Sequence, residues 1–356
     1  MQQRDALARR LAVGGSLLAS CTLASIPCAV AQDSLFQESR PAMGTTVEIL
    51  LYASNRVRAA ELFEAAFEEI ERVEAALSSY RPTSEISRLN AQAARGRVVT
   101  DPEIFGLIAR ALDVSRRTDG AFDISVGALV RVWKHGRAIG HLPPSAELEQ
   151  AATAVGWEHV VLDPATRSVH FLVPGLELDF GGIGKGYALD RAASLLRRAG
   201  VTAALLGAGQ SSHYAIGAPP GTVGWPIVVP HPHDPARPLS TVHLRDGSLS
   251  TSGSGQQFFE YEGTRYSHII DPRTGVPVSG MTQVTVTARS ATDSDALTTG
   301  LFVAGPERAR DLLEHYDGVG ALVVTAVGQD VAVIPIAWTG SPRPRNRSAQ
   351  HLPLKR

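Results

Sequence analysis

The run Asp293–Ser294–Asp295–Ala296–Leu297–Thr298–Thr299–Gly300 lies between two apolar stretches of different period. Before it, Gln283–Val284–Thr285–Val286–Thr287–Ala288 alternates as a strand does; after it, the apolar run 301–304 continues a helical face. Asp293 or Ser294 is the expected N-cap. At about 3.6 residues per turn, Asp295, Thr298 and Thr299 then share one face, and Leu297, Leu301 and Ala304 the other. A carboxylate and two hydroxyls thus stand over a buried turn. Such hard oxygens suit Mg²⁺ or Ca²⁺, and Mg²⁺ commonly takes one or two carboxylates with phosphate oxygens completing its shell. The same residues would also serve as a capped core helix with exposed threonines, so the stretch alone leaves site and scaffold both open.

Working outward, strands and helices alternate irregularly. Residues 45–52 read as a strand behind a turn at Pro41–Ala42–Met43–Gly44, and 57–77 as an amphipathic helix with Leu62, Phe63, Phe67, Ile70, Val73 and Leu77 on one stripe. Helices are expected at 84–90, at 102–118 with Pro102 as first residue, and at 145–155 with Ser145 as cap. Residues 119–125 form a turn into a short apolar segment, and 160–162 with 168–173 a hairpin around Asp163–Pro164. A strand at 176–180 breaks into Gly181–Gly182–Ile183–Gly184–Lys185–Gly186, and a helix at 187–199 stops at Gly200. Strands follow at 201–206, 225–229, 241–244, 248–251, 258–261 and 265–270. A helix at 306–316 and strands at 319–325 and 331–337 close the chain. Without strict strand–helix–strand alternation, the fold class is α+β.

The 356 residues suffice for one large domain or two small ones. With 34 basic and 35 acidic residues, nothing points to a nucleic-acid partner. Residues 1–31 read as an export signal: Arg4, Arg9 and Arg10, an apolar run from Leu11, and the small-residue site Ala29–Val30–Ala31. Arg9–Arg10 points to the twin-arginine route. Leu18–Ala19–Ser20–Cys21 resembles a lipobox that would anchor the chain by a lipid at Cys21, but the residues after Cys21 stay apolar, which favours cleavage after Ala31. Both cysteines, Cys21 and Cys28, fall in this segment, so cleavage leaves no thiol chemistry. The expected organisation is a signal at 1–31, a domain at 32–338, and a basic, disordered tail at 339–356.

Two glycine-rich loops and one histidine carry further chemistry. Residues 181–186 could cradle a phosphate with backbone N–H groups at a helix start. They are not a Walker A loop, since Gly186 stands where Ser or Thr should follow Gly184–Lys185. Gly207–Ala208–Gly209–Gln210–Ser211–Ser212 lacks the third glycine and the distant acid of a dinucleotide fingerprint. His268 ends a strand before the tight turn Asp271–Pro272–Arg273–Thr274–Gly275, placed either to reach a cleft or to pair with Asp271.

Seven segments together resemble the ApbE-type flavin transferases (FAD:protein FMN transferases). They are Met43–Gly44–Thr45, the run 77–81, Asp119–Gly120–Ala121–Phe122–Asp123 with its continuation to Gly127, the run 179–188, Ser250–Thr251–Ser252–Gly253, the run 267–275, and 295–300. Their order is that of the family, over roughly residues 43–327. The resemblance implies a bilobed α+β fold, mixed sheets with flanking helices, and FAD in a cleft between lobes with Mg²⁺ on its pyrophosphate. Carried over by position, Met43, Tyr80, Ala121, Phe122, Asp123, Asp179, Lys185 and Ile270 become FAD contacts. Asp295, Thr299 and the Gly182 carbonyl become Mg²⁺ ligands, with His268 the candidate acid/base group. The implied reaction moves FMN from FAD to a Thr or Ser hydroxyl of an acceptor protein, such as a subunit of a membrane redox complex, and releases AMP. A Mg²⁺-dependent FAD pyrophosphatase and a non-catalytic periplasmic flavin carrier are the competing functions. Where many relatives have a glycine pair, this chain has Gly209–Gln210, and where some carry a second carboxylate it has Thr298.

Overall fold

Period-two alternation gives the central sheet two differently covered faces. In the computed structural model, residues 33–342 are described apart from 256, 257 and 329. The expected export signal with Cys21 and Cys28, and the chain beyond 342, lie outside the described residues. In chain order come β1 (Ser34–Ala42), β2 (Thr45–Ala53), α1 (Arg56–Leu77), α2 (Glu85–Gln92), β3 (Val98–Val99) and α3 (Pro102–Arg117). There follow α4 (Gly127–Ile139), α5 (Ser145–Ala152), β4 (Val160–Asp163), β5 (Ser168–Phe171), α6 (Gly184–Arg198), β6 (Ala204–Ala208) and β7 (Ser212–Ile216). Then come β8 (Trp225–His231), β9 (Asp234–Leu244), β10 (Gly247–Gly253), β11 (Phe258–Tyr261), β12 (Thr264–Ser267) and β13 (Met281–Ala288). Last are α7 (Ala291–Leu313), β14 (Gly320–Val327), β15 (Asp330–Ile336) and β16 (Ser341–Pro342).

The main sheet has the order β1-β2-β6-β7-β10-β13-β14-β15 with antiparallel neighbours throughout. On one face, Val47, Ile49, Leu51, Leu206, Val284 and Val286 pack against α1, α6 and α7. On the other, Leu50, Leu205, Ala215 and Leu249 meet Trp225, Ile227, Val229 and Val242 of the small sheet β16-β9-β8. The expected apolar stripe of α1 is the buried one, and each of its large side chains contributes about 1.5–3 kcal/mol by leaving water. The fold is α+β, as expected.

Several elements differ from the sequence-based expectation for identifiable reasons. β1 was not expected because Gln37, Glu38, Arg40 and Pro41 read as polar coil; it is the sheet's edge strand, where Pro and charge are tolerated. The turn it shares with β2 is closed by Met43 and Gly44, both with positive φ, which suits a two-residue hairpin. α4 grows from what reads as a short apolar segment, and Pro144 rather than Ser145 occupies the cap position of α5. The expected strand at 176–180 makes only one bridge, Glu177 to Val126. Its alternation is real, since Leu176, Leu178 and Phe180 are buried, but its backbone is held by Asn90, whose side chain bonds both the N–H (2.8 Å) and the carbonyl (3.1 Å) of Leu178. α7 spans the expected break: Gly305, at φ 79°, interrupts it before Pro306. Nor does the chain leave the fold at residue 339, because Ser341–Pro342 pairs with Ser240 and Thr241 of β9.

Candidate active site

α6 starts at Gly184, three residues before the expected Tyr187, so Gly184, Lys185 and Gly186 form its first turn. Its cap position, Ile183, offers no side-chain oxygen, and the N–H groups of a first turn need acceptors from elsewhere. Asp295 of α7 provides one: its Oδ2 accepts the Gly186 N–H at 3.0 Å. Its Oδ1 accepts the Ser212 hydroxyl at 3.1 Å, and Lys185 Nζ stands 3.6 Å from the same oxygen. The helices touch backbone to backbone here. A Cβ at Gly186 would lie 2.0 Å from the Ala291 carbonyl oxygen, which explains glycine at the position a Walker A loop gives to Ser or Thr.

The start of α7 also differs from expectation. Its cap is Ser290, whose Oγ accepts the Asp293 N–H at 3.3 Å; Asp293 and Ser294 are already helical. Asp293 is instead paired with Arg110 of α3 at 2.6 Å. The Asp190 carboxylate of α6 accepts from the Ala291 N–H (2.8 Å), the Thr292 N–H (2.9 Å), the Thr292 hydroxyl (2.6 Å) and the Ser290 hydroxyl (2.7 Å). On the face expected to carry three oxygens, Asp295 and Thr299 reach a cavity and Thr298 does not. Thr298 Oγ1 donates to the Val284 carbonyl at 2.8 Å and accepts the Ser252 N–H at 3.1 Å, joining α7 to the sheet. Thr299 Oγ1 donates to the Asp295 carbonyl at 3.3 Å, and a Cβ at Gly182 would lie 3.3 Å from that hydroxyl oxygen.

The cavity has a volume of about 600 Å³, within the range of small-molecule and cofactor sites. All twelve residues that the resemblance assigns to the site line it: Met43, Tyr80, Ala121, Phe122, Asp123, Asp179, Gly182, Lys185, His268, Ile270, Asp295 and Thr299. Met43 reaches it from the β1–β2 turn, with its Cε 3.6 Å from where a Gly184 Cβ would lie. Asp179 Oδ1 accepts the Gly181 N–H at 2.8 Å while its own N–H donates to Ile124, fixing the entry to the glycine loop. Asp123 is buried and accepts backbone N–H groups from Ser125 and Trp157, both at 2.8 Å. Burial outweighs those bonds and pushes its carboxyl up to about 6.

Another part of the cavity wall is aromatic and more open. Tyr80 is 71% exposed; Lys134 of α4 donates to its hydroxyl and lies 4.8 Å from its ring centroid. Trp133 stacks on Tyr266 (centroids 5.9 Å apart), which stacks on Phe259 (5.0 Å). The Trp133 indole N–H also donates to the Gly275 carbonyl at 2.8 Å, holding the turn after His268. Within that turn both Asp271 oxygens are engaged by Arg273 at 2.9 Å. His268 is exposed on the cavity wall between the buried Ser267 and Ile269.

Several residues that line the cavity, or that bond to one that does, were not singled out from the sequence. Ser212 was passed over with the failed dinucleotide fingerprint; the signal was the alternation of Ser212, Tyr214 and Ile216, which makes 212–216 a strand with Ser212 facing inward. Trp133, Lys134 and Arg137 were hidden in the unexpected helix α4. Gln210 lines the cavity at the β6–β7 turn, where Gly209 has φ 59°.

The donor chemistry fits a hard cation. Asp295 has lone pairs left after its hydrogen bonds, the neutral Thr299 oxygen is close by, and Gly182 adjoins it without a side chain. One carboxylate and neutral oxygens leave room for substrate phosphate, as Mg²⁺ sites in nucleotide enzymes do.

An α+β domain whose cavity joins a helix start, the buried carboxylates Asp123 and Asp295 and aromatic side chains has the size and polar groups that a phosphorylated ligand would need. The ApbE family model matches residues 43–323. The FAD:protein FMN transferase of Treponema pallidum is 34% identical over 301 residues, spanning 79% of this chain and 82% of its own. That of Klebsiella pneumoniae is 31% identical, spanning 83% and 91%. Among solved structures, the ApbE protein of Thermotoga maritima superposes with a TM-score of 0.77 at 30% identity, covering 85% of this chain and 97% of its own. The apo flavinyl transferase ApbE of Pseudomonas stutzeri gives 0.76 at 28% identity, covering 86% and 96%. The chain belongs to the ApbE family, whose matched relatives are flavin-transferring enzymes.

Proposed function

We propose that this chain is an FAD:protein FMN transferase that requires Mg²⁺ and transfers FMN to a Thr or Ser hydroxyl of an acceptor protein, releasing AMP. The observation that carries the proposal is the meeting of Asp295, Thr299, Gly182 and Lys185 at one wall of a cavity that His268 also lines. In the reaction, the acceptor oxygen forms a bond to the riboflavin-side phosphorus, and the bond from that phosphorus to the AMP oxygen breaks. The hydroxyl proton passes to His268, which stands on the exposed side where an acceptor segment can enter. Lys185 and the N–H groups of the first turn of α6 face the phosphates with positive charge. Bound Mg²⁺, held by Asp295, Thr299 and Gly182, would supply further charge neutralisation on the pyrophosphate. Tyr80, Phe122 and Ile270 offer ring and apolar surface for the flavin and adenine, and Met43, Ala121, Asp123 and Asp179 complete the FAD wall.

The segment 1–31 supports export to the periplasm, with Cys21 as an alternative lipid anchor. The acceptor is then a protein that presents its hydroxyl on that side of the membrane, such as a subunit of a membrane redox complex.

The test is incubation of purified protein with FAD, Mg²⁺ and a polypeptide bearing a candidate acceptor Thr. Flavin fluorescence on the denatured acceptor and equimolar AMP are expected, both abolished by EDTA. AMP without labelled acceptor would make the chain a pyrophosphatase instead, and neither product would leave a flavin carrier.

A further inference from the structure

α6 and α7 cap each other. Asp295 of α7 accepts the first-turn Gly186 N–H of α6, and Asp190 of α6 accepts four hydrogen bonds from Ser290, Ala291 and Thr292 at the start of α7. The two exchanges lie one helical turn apart along α6 and one along α7. Between them Gly186 brings the two backbones into direct contact, so the helices have no slack in which to slide. Asp190 is not among the residues lining the cavity. Its carboxylate also occupies the N-terminus of α7, so of the two adjoining helix starts only that of α6 remains for an anionic ligand.

We infer that Asp190 is a positioning residue: by fixing the start of α7 against α6, it sets where the Asp295 carboxylate stands and hence how tightly the site holds its divalent cation. The inference rests on the Mg²⁺ reading given above. A carboxylate is needed because all four partners are donors. An amide in its place would turn an N–H₂ toward N–H and O–H groups.

The test uses the full chain and compares the unaltered protein with Asp190→Asn, measuring Mn²⁺ binding by electron paramagnetic resonance with FAD present and no acceptor. In parallel, the Mg²⁺ concentration for half-maximal transfer is determined at saturating FAD. Asp190→Asn should weaken both at least about tenfold, with the rate at saturating Mg²⁺ recovering to within a few-fold and the FAD KM nearly unchanged. A merely structural role would lower the melting temperature and the rate while leaving the Mn²⁺ affinity in place, and that outcome overturns the inference. Should Asp190→Asn fail to fold, Thr292→Val removes one hydroxyl donor and keeps the carboxylate; it should weaken Mn²⁺ binding about two- to fivefold, and unchanged binding counts against the inference. Transfer by the unaltered protein that resists EDTA overturns the Mg²⁺ reading itself, a result distinct from an Mg²⁺-dependent enzyme indifferent to Asp190.

Discussion

The two walls of the cavity are built on opposite principles. On the α6–α7 wall, Asp295 is 4% exposed and its carboxylate is held by Gly186 and Lys185 of α6 and Ser212 of β7, where the two helices meet backbone to backbone at Gly186. On the α4 and β11–β12 wall, Tyr80 is 71% exposed, the contacts include stacked rings and a cation over a ring, and among the described residues β11 and β12 pair only with each other. The first arrangement suits charge stabilisation, which depends on donors and acceptors fixed before the reaction begins. The second suits a surface that receives a large ligand and then a protein segment, because stacking tolerates small shifts that a hydrogen-bonded carboxylate does not. Buried polar groups cannot be lost cheaply, whereas exposed aromatic contacts can be rearranged.

If that contrast holds, substitutions on the two walls should differ in kind as well as size. The largest effect is expected from Asp295→Ala, which removes the one carboxylate of the fixed wall and the cap of α6. Transfer at saturating FAD should fall at least about a thousandfold, roughly 4 kcal/mol of barrier, as read by AMP release and acceptor fluorescence. Retained activity would dissolve the distinction between the walls.

An intermediate effect concerns Asp123, a buried carboxylate whose partners are two backbone N–H groups. Its carboxyl titrates higher in the folded chain (about 6) than its ordinary value of 3.8, so the stability it contributes is fully present below that ordinary value and is lost as pH rises through about 6. Unfolding free energy should therefore decline between about pH 4 and 6, by up to about 3 kcal/mol, and Asp123→Asn should flatten that decline. Chemical denaturation across that range checks it; a decline unaltered in the variant would assign it to another group.

The smallest effect belongs to the open wall. Tyr80→Ala should raise the FAD KM about two- to fivefold with kcat nearly unchanged, the pattern of lost uniform binding. A fall in kcat instead would place Tyr80 with the fixed wall, and steady-state kinetics separate the two.

Much of this was legible in residue order. The stripe of α1, the hairpin at Asp163–Pro164 and the strand before α7 follow from local periodicity, which a chain carries without help from its neighbours. The residue types of the site were legible too, because the glycine loop, the Asp295–Thr299 spacing and the turn after His268 are short-range patterns. Edge and junction elements were not. β1 became a strand because β2 offered it a partner, whereas in residues 176–180 Asn90 takes both backbone groups of Leu178, and Glu177 and Asp179 bond to Gly127 and Ile124. α4 also went unread; its Ala128, Leu129, Val132 and Trp133 are buried in one cluster with Ala151 and Ile270.

The sequence by itself determined the α+β class and the family resemblance, and through that resemblance it named twelve residues that line one cavity. Only the tertiary structure decided that Thr298 belongs to the sheet and Thr299 to the cavity, that Ser212 completes the surroundings of Asp295, and that Asp190 holds the start of α7. The physical reason is that the hydrogen bonds concerned join residues far apart in the chain, and a helical face seen alone cannot show which of its oxygens the neighbouring sheet will take.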